Sequence, residues 1–192
     1  NDIGNTCFNY LRQKNVGVSH VIRDNGRIGI YFMEYGVAQR PSKVIYDRKD
    51  SSFARLESGN IDWEEVFAQN KWFHWTGITP ALSKETYLEL KTALKIAKEN
   101  HVMVSCDLNY RKNLWDWGKT AGEIMPDLVE QCSVLIGNEE DAEKVLNISA
   151  KNTEITKGKI DVREYESVVN EIARRFPNLR SEEHTSELQS HH

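Results

Sequence analysis

The sequence predicts an α/β fold, a parallel sheet with flanking helices joined to a small antiparallel β lid. Three observations carry that prediction. From residue 62 onward, short apolar runs alternate with amphipathic helical stretches, the order that builds a parallel sheet with right-handed crossovers. Two of those runs, Val102-Met103-Val104 and Val134-Leu135-Ile136, end abruptly in polar groups: Ser105-Cys106-Asp107-Leu108-Asn109-Tyr110-Arg111 and Gly137-Asn138-Glu139-Glu140-Asp141. Residues 18–50 instead alternate with period two between turn signals, as an antiparallel sheet does.

The composition bounds the function. With 192 residues, 39% hydrophobic and 28% charged, the chain belongs to the ordinary soluble globular class. A formal net charge of −4 provides no general attraction for nucleic acid or an anionic membrane. No apolar run approaches the ~20 residues that span a bilayer. The three cysteines, Cys7, Cys106 and Cys132, show neither metal-ligand spacing nor a disulfide framework. They read as buried thiols in a reduced, cytoplasmic protein.

Taken in order, residues 2–14 form a helix, with Ile3, Cys7, Phe8 and Leu11 on one face. His20–Arg23 and Arg27–Tyr35 are expected to pair as a hairpin around Asn25-Gly26, a strong tight-turn signal. Ser42–Arg48 is the third lid strand, after a Gly36–Pro41 connection. Tyr31, Tyr46 and Arg48 alternate with apolar residues there, leaving one face available to a ligand; a solvated face of cross-strand pairs is the plainer account. Asp62 and Glu65 cap a short helix carrying Val66 and Phe67. Lys71–Trp75 is a buried strand, with His74 a core histidine, and Thr76–Pro80 is a loop. Ser83–Asn100 is the clearest helix, with Tyr87, Leu90, Leu94 and Ala97 in one stripe. Strand 102–107, helix 120–131, strand 133–136 and helix 139–147 follow. Asp161 and Glu164 cap a last helix bearing Val168, Val169, Ile172 and Phe176.

Candidate chemistry collects where the strands end, the ligand-binding edge of parallel sheets. Arg111 offers a fork of donors suited to carboxylate or phosphate, or else a salt bridge to Asp107 or another acid. Asn138 stands at a helix N-cap with Glu139, Glu140 and Asp141 in the first turn. That pattern serves capping and the helix dipole, or a carboxylate cluster near hydrated magnesium. No P-loop, Gly-x-Gly-x-x-Gly or Gly-x-Ser-x-Gly is present.

Four segments in register then resemble the ribokinase-like, PfkB-type carbohydrate kinases: Arg27–Phe32; Val44–Arg48 with Ser51-Ser52; Asp107–Arg111 with Leu114-Trp115; and Asn138–Glu143. The likeness extends to about residue 176 and is nearest to the branch acting on 2-keto-3-deoxygluconate. It implies ATP- and Mg²⁺-dependent transfer of a γ-phosphoryl group to that sugar acid, giving 2-keto-3-deoxy-6-phosphogluconate. By the resemblance, Tyr31, Tyr46, Arg48 and Arg111 contact substrate. Arg111, Asn109 and Asn138 lie near nucleotide phosphate, and Asn138 with Asp141 meets magnesium through water. Asp141 stands where the family has glutamate. A fructokinase, another sugar kinase of this type, or a non-catalytic nucleotide- or sugar-binding module are the competing readings. The resemblance further implies association of copies through lid strands.

The family's amino-terminal sugar-contacting glycine pair and its Gly-x-Gly-Asp segment, source of the catalytic base, do not occur in these residues. The chain is therefore expected to be an incomplete, inactive piece of the kinase domain over 1–179, with its lid at about 18–50. Residues 180–192 lack helical or strand periodicity and match, in one frame, the translation of a widely used sequencing adapter. They are expected to be non-native.

Overall fold

A computed structural model describes residues 2–37, 40–149 and 162–184. The chain divides into two compact units, residues 1–61 and 62–192.

The first unit begins with helix α1, Asp2–Gln13, and holds a two-stranded antiparallel sheet of β1, Ile30–Glu34, and β2, Lys43–Asp47. Tyr31 stands opposite Tyr46, and Met33 opposite Val44. The expected hairpin between residues 20–23 and 27–35 does not form. Asp24 instead accepts hydrogen bonds from the backbone N–H groups of Asn25 and Gly26, at 2.6 and 3.2 Å. Such local bonding competes with ladder pairing. Arg27 meanwhile pairs with Ser51 in an isolated bridge. The Asn25-Gly26 signal marks a turn, though one that leads away from residues 20–23.

The second unit is a four-stranded parallel sheet in sequence order: β3 (Trp72–Thr76), β4 (Met103–Asp107), β5 (Val134–Gly137) and β6 (Ser181–His184). Helices α2 (Trp63–Phe67), α3 (Ile78–Leu82), α4 (Lys84–Glu99), α5 (Ala121–Val129), α6 (Glu139–Leu146) and α7 (Val162–Arg175) fill the connections. Capping explains several boundaries. Asp62 accepts from the Glu65 N–H at 3.0 Å to start α2, and Ser83 and Thr86 form a capping box for α4. The expected cap at Asp161 lies outside the described residues.

Right-handed crossovers between strands in sequence order set the helices on one sheet face. The core lies there, with Leu94, Val104, Cys106, Met125, Leu128 and Leu135 buried. On the other face Trp72 and His74 are exposed, so β3 is less buried than the sequence predicts and His74 is not a core residue. The reason is topological: among the described residues β3 pairs with β4 alone. Trp72 Nε1 donates to Ser105 Oγ at 2.8 Å, and His74 Nδ1 shares a hydrogen bond with the same oxygen at 2.8 Å. Ser105 is thereby engaged by both side chains, and it is itself buried.

One further expectation is corrected, and a strand appears where the sequence predicts no element. Residues 78–80, read as loop, belong to α3; proline is tolerated in a helix's first turn because no intrahelical N–H is needed there. Ser181–His184, in the segment read as patternless, forms β6, with Ser181 opposite Val134. Arg180 N–H donates to Ser133 O at 2.8 Å and starts the ladder. Backbone pairing needs no side-chain alternation, and α7 delivers the chain beside β5.

Cys106 and Cys132 are buried, but Cys7 is exposed. Burial, with hydrogen bonding to Cys132, pushes the Cys106 thiol well above the ordinary cysteine range. Titration of the native chain with a thiol reagent is expected to give one fast-reacting group, Cys7, and all three only after unfolding. More than one fast thiol would contradict this packing.

Candidate functional site

On the lid, β1 and β2 place Tyr31 and Tyr46 side by side, ring centroids 6.3 Å apart and tilted by 48°. Strand alternation puts Arg48 on the same face, and its guanidinium carbon lies 4.2 Å from the Tyr46 ring centroid. A cation over a tyrosine ring is attracted by the ring quadrupole. Both rings are open to solvent, Tyr31 at 63% and Tyr46 at 54%. The three lid residues named from the sequence thus form one cluster.

Arg27 is the residue that sequence reasoning missed. Its guanidinium takes both Asp47 oxygens, at 2.6 and 2.9 Å, and donates to Lys49 O at 2.6 Å. Asp47, between Tyr46 and Arg48, is therefore engaged away from Arg48. The spacing Arg27…Asp47 is a signal only once the β1–β2 register is known. This unit also holds a groove of about 370 Å³ lined by Phe8, Leu11, Ile22 and Phe53 among others. No predicted site residue lines it and its walls are largely apolar, so it is not read as the site.

In the second unit, backbone hydrogen bonds stitch the strand ends together. Gly77 N–H donates to Asp107 O and Leu108 N–H to Ile136 O, each at 2.8 Å. Leu108 is buried between two glycines. A Cβ on Gly77 would collide with the Leu108 carbonyl, and one on Gly137 would press on the Leu108 side chain. Asn109 takes a left-handed φ of 40° and donates from Nδ2 to Thr76 Oγ1 at 3.2 Å. Asparagine is among the few residues that adopt this conformation readily.

Beyond it, Tyr110 N–H donates to Asp141 Oδ1 at 2.9 Å. Arg111 is exposed, with Nη1 donating to the Tyr110 carbonyl at 2.9 Å. Among the described residues it makes no salt bridge to Asp107. The structure therefore brings Asn109, Arg111, Asn138 and Asp141 to one sheet edge.

Asn138 caps α6: its Oδ1 accepts from Asp141 N–H at 2.8 Å, while Asp141 Oδ2 accepts from Asn138 N–H at 3.1 Å. Asp141 is only 7% exposed, and both its oxygens hold backbone N–H groups. Among the described residues no cluster of three or more His, Cys, Asp or Glu side chains could hold a cation directly. Hard oxygen donors with a spare lone pair do fit the water shell of a magnesium ion. Nearby, Glu139 Oε1 is buried without a hydrogen-bond partner among the described residues. Partial burial and the neighbouring Asp141 carboxylate push the Asp107 carboxyl above its usual range.

The profile described as pfkB family carbohydrate kinase matches residues 1–164. Among curated proteins, the 2-dehydro-3-deoxygalactonokinase of Haloferax volcanii is 36% identical over 136 residues, 69% of this chain and 42% of that protein. The 2-dehydro-3-deoxygluconokinase of Thermoproteus tenax is 32% identical over 151 residues, 77% of this chain and 45% of its own length. The chain thus spans less than half the length of these relatives. Among solved structures, the 2-dehydro-3-deoxygluconokinase of Thermotoga maritima superposes with a TM-score of 0.82 at 42% identity, covering 92% of this chain and 51% of that one. No helix among the described residues is long and apolar enough to cross a membrane. The parallel sheet with its separate β-hairpin and this breadth of sequence match lead to one conclusion: the chain belongs to the pfkB family of carbohydrate kinases.

Proposed function

We propose that this chain is part of an ATP-dependent kinase that phosphorylates 2-keto-3-deoxygluconate at its terminal hydroxyl. The observation that carries the reading is the exposed Tyr31–Tyr46–Arg48 cluster, whose one cation is not neutralised by the adjacent Asp47. A keto acid presents a carboxylate and hydroxyls, and a guanidinium fork with two phenols is a suitable partner set. The similarity to kinases of 2-dehydro-3-deoxy sugar acids supports the same substrate class.

In the reaction, the substrate hydroxyl oxygen forms a bond to the γ-phosphorus as the bond to the β-phosphate bridging oxygen breaks, and ADP leaves. Such transfer depends on positioning and charge stabilisation. Arg111, exposed at the strand-end loop, binds anionic oxygens of substrate or phosphate. Asn109 and Asn138 hold that edge in place for the nucleotide. Asn138 and Asp141 are the residues that would face the water shell of a magnesium ion, which would supply neutralisation of phosphate charge. The proton on the attacking hydroxyl goes to the family's Gly-x-Gly-Asp base, a motif not found in these 192 residues. Turnover is accordingly assigned to a longer polypeptide carrying that segment. Among the described residues Lys43–Asp47 pairs with β1 alone, and its other edge is where a second copy would pair.

The test is an ADP-release assay on such a polypeptide with 2-keto-3-deoxygluconate, its galactonate epimer and fructose. The reading expects the gluconate acid to have the highest kcat/KM. Preference for the galactonate acid would move the assignment within the class, and preference for fructose would overturn it.

A further inference from the structure

We propose that Asp141 is a positioning residue: its carboxylate straps the loop bearing Arg111 to the amino end of α6. The functional part of this inference rests on the kinase reading above; the strap itself does not.

Three observations carry it. First, the two oxygens of one carboxylate accept from backbone N–H groups in two separate loops, Tyr110 after β4 and Asn138 after β5. Second, the carboxylate lies almost out of solvent, at 7% exposure. Its two hydrogen bonds are thus little weakened by water, and losing either leaves a donor exposed to desolvation. Third, the strapped residue is the immediate neighbour of Arg111, whose own guanidinium folds back onto the Tyr110 carbonyl at 2.9 Å. The peptide unit that Asp141 holds on one side is therefore adjacent to the carbonyl that orients Arg111.

The chemistry of the position also favours an acid. Both facing groups are donors, so only a side chain with two acceptor oxygens satisfies both. An asparagine has one acceptor and must turn its NH₂ toward one of the N–H groups.

The first arm of the test uses the 192-residue chain and measures amide hydrogen exchange by NMR. Asp141→Asn is expected to speed exchange at Tyr110, Asn138 or both by at least about tenfold, while Glu143→Gln, a solvent-facing control in the same helix, leaves both unchanged. Unchanged exchange at both amides would overturn the strap.

The second arm uses the longer kinase and a double-mutant cycle. If Asp141 acts through Arg111, Asp141→Asn should lower kcat/KM by about tenfold in the otherwise native enzyme and by little in the Arg111→Ala background. Additive losses would overturn the positioning role while leaving the strap intact. A longer enzyme inactive on every sugar acid would sink the kinase reading, and the exchange arm would still decide the strap.

Discussion

Arg48→Ala in the longer kinase is expected to lower kcat/KM for 2-keto-3-deoxygluconate by about 10- to 150-fold, while changing fructose by less than about threefold. The range follows from ~1.5–3 kcal/mol for a hydrogen bond to a charged group, at about 1.4 kcal/mol per tenfold. Arg48 is a clean target because Arg27 already satisfies Asp47, so removing Arg48 strands no carboxylate on the lid. Its guanidinium rests on the Tyr46 ring, so the truncation also frees that ring. Arg48→Lys separates the contributions. It retains the charge but not the planar fork, and an intermediate loss is expected. Arg111→Ala gives a contrasting pattern: an arginine that serves phosphate oxygens should impair every sugar together. If Arg48→Ala left the ratio of keto acid to fructose unchanged, the carboxylate assignment on the lid would fail.

What the sequence could reveal divides along physical lines. Apolar runs bounded by polar turns mark β4 and β5 because both strands are interior to the sheet. The periodic stripe of Leu90, Leu94 and Ala97 marks α4 because that stripe is buried. The lid cluster was legible because Tyr31, Tyr46 and Arg48 share strand parity, which pairing converts into contact. Other features depend on where separate segments meet. The Asp24 turn, the exposure of His74 on β3 and β6 are tertiary outcomes. No local pattern distinguishes them. Asn138 as a helix cap was readable from its spacing to Asp141, yet the bond from Tyr110 to the same carboxylate spans 31 positions and required the parallel β4–β5 register. Capping and ligand binding call for the same residue types at a helix start. Only the geometry shows how the Asp141 oxygens are used.

The same strand ends yield the prediction with the largest effect on stability. Gly77→Ala is expected to destabilise the second unit by about 3 kcal/mol or more, at the upper end of what overpacking costs. The glycine is not there for conformational freedom: its φ of −59° and ψ of −10° are open to any residue. It is there for space. An added methyl would collide with the Leu108 carbonyl, and the Met125 side chain closes the far side at 3.2 Å. The carbonyl has little room to retreat, because Leu108 N–H is bonded to Ile136 O and Gly77 N–H to Asp107 O. Relief would therefore require separating β3 from β4 at their carboxyl ends or lifting Leu108 from its buried seat. Either movement also displaces Asn109 from Thr76 and shifts the base of the Arg111 loop. Urea unfolding of the 192-residue chain measures the effect, with Gly17→Ala as the control. No atom lies within 4 Å of the control's added carbon, and its cost is expected to stay within about 0.5 kcal/mol. A Gly77→Ala chain that unfolds at the same urea concentration as the parent would show that Leu108 and the strand ends yield to a methyl group. The rigid edge on which Arg111 depends would then be in doubt.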